Sequence, residues 1–272
     1  MFNWNLFFIL VLVSIPGAVF AARSGLGTIE LLIKSGGIDQ KLPPKNILLV
    51  LAGLQTLILA AIASAIGTTL ADQVGLSAPV LLAASAGDPI WPAMRDHFLP
   101  ALILGLVGAL IFLVAYYGFF RSKLDKDTVQ ATENLRGLLG FWGRIFYGAI
   151  VEEILVRWGL MTLFLWILSL IVDPLTPLVY WIAILLAGLL FALGHIPGSI
   201  AAGAMKTPMF YAATLILNGW ASLIFGWLFW QHGLVAAILA HALLHLLWQA
   251  GECGNPGHFL GRQSRKRPAW WS

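Results

Sequence analysis

Apolar residues run through this chain in long stretches, and most polar positions fall between them. About 20 consecutive apolar residues make a helix long enough to cross the hydrocarbon core of a bilayer. On that basis the pattern predicts seven spans, near 5–22, 46–70, 101–120, 141–172, 178–195, 209–230 and 234–249. Ala78 to Ala86 is too short to cross and is expected to lie at the interface or re-enter; an eighth span follows only if its flanks also cross. The segment from Arg23 to Lys45 reads as a loop, ending in Pro43-Pro44, which suits a helix start. Arg121 to Arg144 mixes Lys123, Lys126 and Arg136 with Asp125, Asp127 and Glu133, the pattern of a solvated amphipathic helix leading into the fourth span. Asp173-Pro174-Leu175-Thr176-Pro177 reads as a turn, Pro197-Gly198 as the stop of the fifth span, and Gln231-His232-Gly233 as a tight connection.

Composition fixes the class. The chain has 272 residues, of which 60% are hydrophobic and 10% charged, and its mean hydropathy is +0.88. A soluble domain needs a polar surface that these residues cannot supply. The expectation is an all-α polytopic transmembrane helix bundle. The first span has the length of a signal peptide, but Met1–Asn5 carries no Lys or Arg and Arg23 follows the apolar run. That is the wrong charge order for secretion, so a retained helix is expected.

A net charge of +4 and a pI near 9.4 do not point to nucleic acid, because the basic residues cluster between spans. The stretches after spans one, three and five and the C-terminal tail hold four, five, one and four Lys and Arg, against one, none and none after spans two, four and six. The positive-inside rule then predicts the N-terminus outside and the C-terminus inside, in what reads as a bacterial cytoplasmic membrane. Cys253 is the one cysteine, so no internal disulfide and no cysteine-rich metal site can form.

The stretch Tyr147 to Gly159, YGAIVEEILVRWG, departs from this plan, with two glutamates and an arginine inside an apolar run. Ionisable groups in a membrane are costly and need partners. Glu153 and Arg157 are four residues apart on one helix face and can form a bidentate pair, whereas Glu152 is turned about 100° away. Glu152 is thereby free to act as a general base. Counting about 1.5 Å per residue, Glu152 lies about 12 Å from one boundary and His241 about 12 Å from the other, with His245 one turn deeper. In a core of about 30 Å, Glu152 and His245 reach nearly the same level, and His195 ends its span on the same side as Glu152. His241 and His245 can chelate a metal or donate hydrogen bonds to a developing oxyanion. A purely structural alternative is interhelical hydrogen bonding.

Glu152-Glu153-x-x-x-Arg157, Phe191-x-x-x-His195 and His241-x-x-x-His245 stand in separate spans. In order and spacing they resemble the motifs of the CAAX protease and bacteriocin-processing (CPBP, or Abi) family of glutamate-type intramembrane endopeptidases. The resemblance covers Phe141 to Trp248. It implies a CAAX prenyl endopeptidase-like core in which Glu152 and His195 activate water and Glu153 and Arg157 organise the site. By the same resemblance, His241 and His245 stabilise the oxyanion. Many relatives carry asparagine where this chain has His245, so a zinc-dependent version with His195, His241 and His245 as ligands stays open. The metal-free site is favoured because no cysteine or aspartate adds a further ligand. The implied partners are the lipid bilayer and a membrane-associated or hydrophobic peptide or protein substrate, with no nucleic acid. The rival class is a non-catalytic membrane interaction or transport protein with a buried polar network.

Three regions follow: 1–140 with few motifs, 141–249 as the catalytic core, and 250–272 as a basic cytoplasmic tail. His97, His232 and His258 read as loop histidines, and the tryptophans as interfacial anchors or packing residues.

Overall fold

The structure, a computed structural model, describes residues 2–34 and 42–253. The basic tail beyond Cys253, with His258, lies outside the described residues, as does Lys41. Nine helices and one 3₁₀ turn (Asp72–Val74) build the described part: α1 (Trp4–Lys34), α2 (Lys45–Leu70), α3 (Pro79–Ala86), α4 (Ile90–Ala115, continued helically to Lys123), α5 (Lys126–Gly143), α6 (144–169), α7 (Pro177–Ala201), α8 (Pro208–His232) and α9 (Leu234–Cys253). No strand occurs among the described residues.

Six of these helices are long and apolar enough to cross a membrane. They are apolar on every side, as helices that face lipid outwards and protein inwards must be. In α2 the exposed residues are Val50, Leu54, Ile58 and Ile62, and in α4 Ile103, Val107, Leu110 and Val114. Their buried faces are mostly small: Ala60, Ala63, Ser64 and Gly67 in α2, and Ala101, Gly105, Gly108 and Ala109 beside one large residue, Phe112, in α4. Small residues let backbones approach closely where lipid supplies no hydrophobic drive for association.

The element corresponding to the predicted fourth span is α6, and it is continuous but unusual. Arg144–Val151 and Ile154–Met161 are π-helical, separated by Glu152 and Glu153 and followed by the α-helical Thr162–Ser169. α6 is not among the six helices long and apolar enough to cross, so the supported count is six against the seven predicted. It is the central element, packed on α1, α5 and α9 through its first half and on α2, α7, α8 and α9 through its second. Val151, Ile154, Met161 and Leu165 have no exposed surface.

Several boundaries differ from expectation, each for a local reason. The supposed loop after Ala22 is helical to Lys34, because nothing from Arg23 to Lys34 breaks a helix and Leu31, Leu32 and Ile33 prolong the apolar pattern. α7 runs through Pro197 to Ala201 instead of stopping there. Proline forfeits one backbone bond, and the end is instead secured by Ala202 N–H on the Gly198 carbonyl and Ala204 N–H on the Ser199 carbonyl. His195 thus sits inside the helix. His97 and His232 are helical rather than in loops, with their Nδ1 atoms 3.4 Å apart between α4 and α8. The start of the fourth span near Phe141 is marked by Gly140, whose φ of 68° and ψ of 176° turn the amphipathic part of α5 into the membrane-directed part.

Candidate active site

Glu153 and Arg157 form the buried centre of the bundle. Glu153 is 0% and Arg157 1% exposed, with Arg157 Nε 3.2 Å from Glu153 Oε2. The pair is not bidentate, because the other carboxylate oxygen is used from elsewhere. His241 Nδ1 lies 2.8 Å from Glu153 Oε1, an interhelical bond between α6 and α9. Arg157 Nη2 donates to Ser222 Oγ on α8 at 3.1 Å, and its guanidinium carbon lies 5.6 Å from the Phe191 ring centre and 5.9 Å from that of Phe225. The carboxylate joins α6 to α9 directly, and Arg157 extends the link to α8.

Glu152 faces the other way. Among the described residues its carboxylate has no hydrogen-bond partner. It lines a cavity of about 410 Å³, together with His195 from α7 and His241 and His245 from α9. The structure thus brings these four predicted residues to one wall system, with Glu153 and Arg157 packed behind it.

Hydrogen bonds fix which ring nitrogen is available. His195 Nδ1 is 2.8 Å from the Phe191 carbonyl, which can only accept, so Nδ1 carries the proton and Nε2 keeps a lone pair. His241 Nδ1 likewise donates to the Glu153 carboxylate, which holds the ring's orientation. His241 is sandwiched between Phe225, 4.6 Å away and 20° from parallel, and His245, 4.8 Å away and 24° from parallel. His245 has both ring nitrogens buried with no partner among the described residues. Its ring fits against α6 only because residue 148 is glycine: a Cβ there would lie 2.6 Å from His245 Nε2.

Sequence reasoning missed a second polar cluster on the same cavity. Arg136 and Arg144, read as part of a solvated amphipathic helix, are turned inwards. Arg136 Nε lies 2.8 Å from Glu252 Oε1, and Arg144 Nη2 lies 2.9 Å from Glu252 Oε2. The Arg136 guanidinium also covers the Trp248 ring, 4.6 Å from its centre. The available signal was Glu252 itself, an acid one turn past the apolar part of α9. Tyr147, one π turn before Glu152, lines the cavity as well. Walls from α1, α4, α5 and α8 complete it, including Ser24, Tyr116, Thr132 and Asn218.

Among the described residues no group of three or more His, Cys, Asp or Glu side chains is placed to hold a metal ion. The histidine rings present, two of them committed through Nδ1, suit proton transfer and hydrogen bonding.

These features define an integral membrane protein with a carboxylate and three imidazoles collected in an intramembrane cavity. Residues 134–247 match the family model described as type II CAAX prenyl endopeptidase Rce1-like, a segment that contains every one of the six predicted site residues. Over that segment the chain is similar to type II CAAX prenyl endopeptidases. No curated protein and no solved structure matches the chain significantly.

Proposed function

We propose that this protein hydrolyses a peptide bond of a membrane-associated or hydrophobic substrate through a water activated by Glu152 and His195. The observation that carries this reading is the convergence of Glu152, His195, His241 and His245 on one cavity, while Glu153 is withdrawn into an ion pair. A water between the Glu152 carboxylate and His195 Nε2 loses a proton to Glu152 as its oxygen attacks the carbonyl carbon. His241, held by Glu153 through Nδ1, donates to the oxyanion through Nε2 when that nitrogen also carries a proton, with His245 beside it. Glu152 then passes its proton to the amide nitrogen as the C–N bond breaks, releasing one acid and one amine product. The mostly apolar wall suits a substrate that arrives from the bilayer.

The reaction is written without a metal, on the sequence reading that no cysteine or aspartate adds a further ligand beside these helices. Zinc on His195, His241 and His245 is the competing version, and stoichiometric zinc in purified protein that is lost on His245→Ala would replace the metal-free scheme. In orientation, the loop charges support an outside N-terminus and inside C-terminus, with cleavage in the inner half of the membrane.

The test compares membrane peptides from cells making wild-type protein with those from cells making Glu152→Gln. A fragment found with the wild type alone supports the scheme. Equal fragments and equal biological output from both proteins would remove Glu152 from the chemistry.

A further inference from the structure

Two histidines that the hydrolytic scheme does not use face each other across the α4–α8 seam, His97 near the start of α4 and His232 at the last residue of α8. Their Nδ1 atoms lie 3.4 Å apart, with ring centres 5.6 Å apart and ring planes at 64°. The rings therefore meet through their Nδ1 corners. A hydrogen bond donated by N–H normally spans about 2.7–3.2 Å, so this pair stands wider than a closed bond. Two imidazole nitrogens on one tetrahedral zinc ion, each about 2.0–2.1 Å from the metal, are about 3.3–3.4 Å apart. The observed separation matches that edge.

The surrounding helices hold the two rings in place. Trp220 Nε1 on α8 donates to the Gly108 carbonyl on α4 at 3.0 Å, and Ile224 packs so tightly on Gly108 that a Cβ there would have no room. These contacts fix the two helices antiparallel in one register, and that register brings His97 level with His232. Ligands carried by packed helices are placed more precisely than ligands on loops. The Trp227 ring packs on His232 with 5.5 Å between centres. Beside His97 in the chain, Arg95 is bound to Asp96 at 3.1 Å, so its charge is already met and does not oppose a cation. Both imidazoles are partly exposed, which leaves water free to complete a coordination shell. The pair is also separate from the active-site cavity. The nearest cavity-lining residues on the same helices are Phe112 and Ala221, about 22 Å and 16 Å along the helix axes.

We propose that His97 and His232 bind a divalent late-transition-metal ion of the zinc class and so tie α4 to α8 at the end of their seam away from the cavity. Each ring then carries its proton on Nε2 and gives its Nδ1 lone pair to the metal. Imidazole suits zinc, nickel and copper, whereas magnesium and calcium take oxygen ligands. Two protein ligands are fewer than a closed structural zinc site has, so water fills the remaining positions and the ion exchanges. The inference does not rest on the peptidase reading.

The test uses the full chain in phosphatidylcholine nanodiscs, purified without a histidine tag and stripped of metal with EDTA. Zinc binding is measured by isothermal titration calorimetry, with Mg²⁺ as the competing ion. Wild type is expected to bind one zinc ion that Mg²⁺ does not displace. At free zinc 100 times the dissociation constant, it should melt about 5–11 °C higher. Changing a group that merely orients a metal ligand costs about 10–100-fold in affinity, so loss of a direct ligand in His97→Ala or His232→Ala should cost at least tenfold. Either variant should also lose the thermal shift. His245→Ala should keep both the binding and the shift. No zinc uptake by the wild type overturns the inference, as does uptake undiminished in both alanine variants or displaced by Mg²⁺. Zinc lost in His245→Ala but kept in His97→Ala also overturns it and places the ion in the cavity instead. His97→Gln and His232→Gln, which keep a polar side chain at each position, take over if an alanine variant does not fold. The hydrolytic scheme stands or falls separately, on the Glu152→Gln comparison.

Discussion

Glu152 and Glu153 are adjacent and chemically identical, yet their replacement by glutamine should fail in opposite ways. Glu153→Gln removes the countercharge of Arg157, which is 1% exposed and would be left with the Ser222 hydroxyl and the faces of Phe191 and Phe225. It also weakens the acceptor of His241 Nδ1. Removing one partner of a buried pair costs about 3–5 kcal/mol. For a chain of this size each kcal/mol moves the melting temperature by about 2–4 °C, so a fall of roughly 6–20 °C is expected. Glu152→Gln breaks no hydrogen bond or ion pair described for the folded chain and should melt within a few degrees of wild type. Its loss as a general base should lower turnover by about 10²–10⁴. Thermal melts of purified protein in detergent by circular dichroism, with peptide cleavage measured in parallel, separate the two. Equal melting temperatures, or a less stable Glu152→Gln, would refute the division of labour.

Gly148→Ala places a methyl group 2.6 Å from His245 Nε2, and relieving that overlap costs about 1–3 kcal/mol; cleavage assays should show a loss of turnover larger than the small drop in melting temperature suggests. Gly140→Ala forces a side chain into a conformation with φ 68°, a strain of about 1–3 kcal/mol that denaturation of the purified protein would register. At the start of α5, the Thr128 backbone N–H on the Asp125 carboxylate, helped by the Thr128 hydroxyl, holds that half-buried carboxyl below its ordinary value. A depressed folded-state pKa stabilises above the unfolded value near 4 and loses that contribution as pH falls through the folded one. Hydrogen exchange at the Thr128 amide should therefore accelerate below about pH 4, and Asp125→Ala should show the same fast exchange at neutral pH.

The spans and the Glu153–Arg157 pair could be read from sequence because both follow from fixed helical geometry: long apolar runs, and two charges four residues apart on one face. Counting residues between boundaries set Glu152 and His245 at a common level, and both line the one cavity. What one-dimensional reasoning could not reach was choice of partner across helices. Nothing in the spacing of His241 says that its ring turns back to Glu153, and this contact is why the arginine pair is single rather than bidentate. Arg136 and Arg144 were misjudged because a mixed-charge stretch usually faces water, and the acid that turns them inwards is more than 100 residues away. The length of α1 was underestimated for a different reason: an isolated arginine ends an apolar pattern without ending a helix.

The π-helical run at Arg144–Val151 bears on how this segment varies with descent. A backbone bonded from each residue to the fifth along accommodates one more residue than an α turn of the same span. In an ordinary helix, deleting a residue rotates everything beyond it by about 100°. Here such a deletion can close the π turn into an α turn and leave Glu152 facing the same wall. Chains of common ancestry can therefore differ in length by one residue between Arg144 and the glutamates without losing the orientation of the acid. A gap at this point in an alignment would record a change of helix type with the active face conserved.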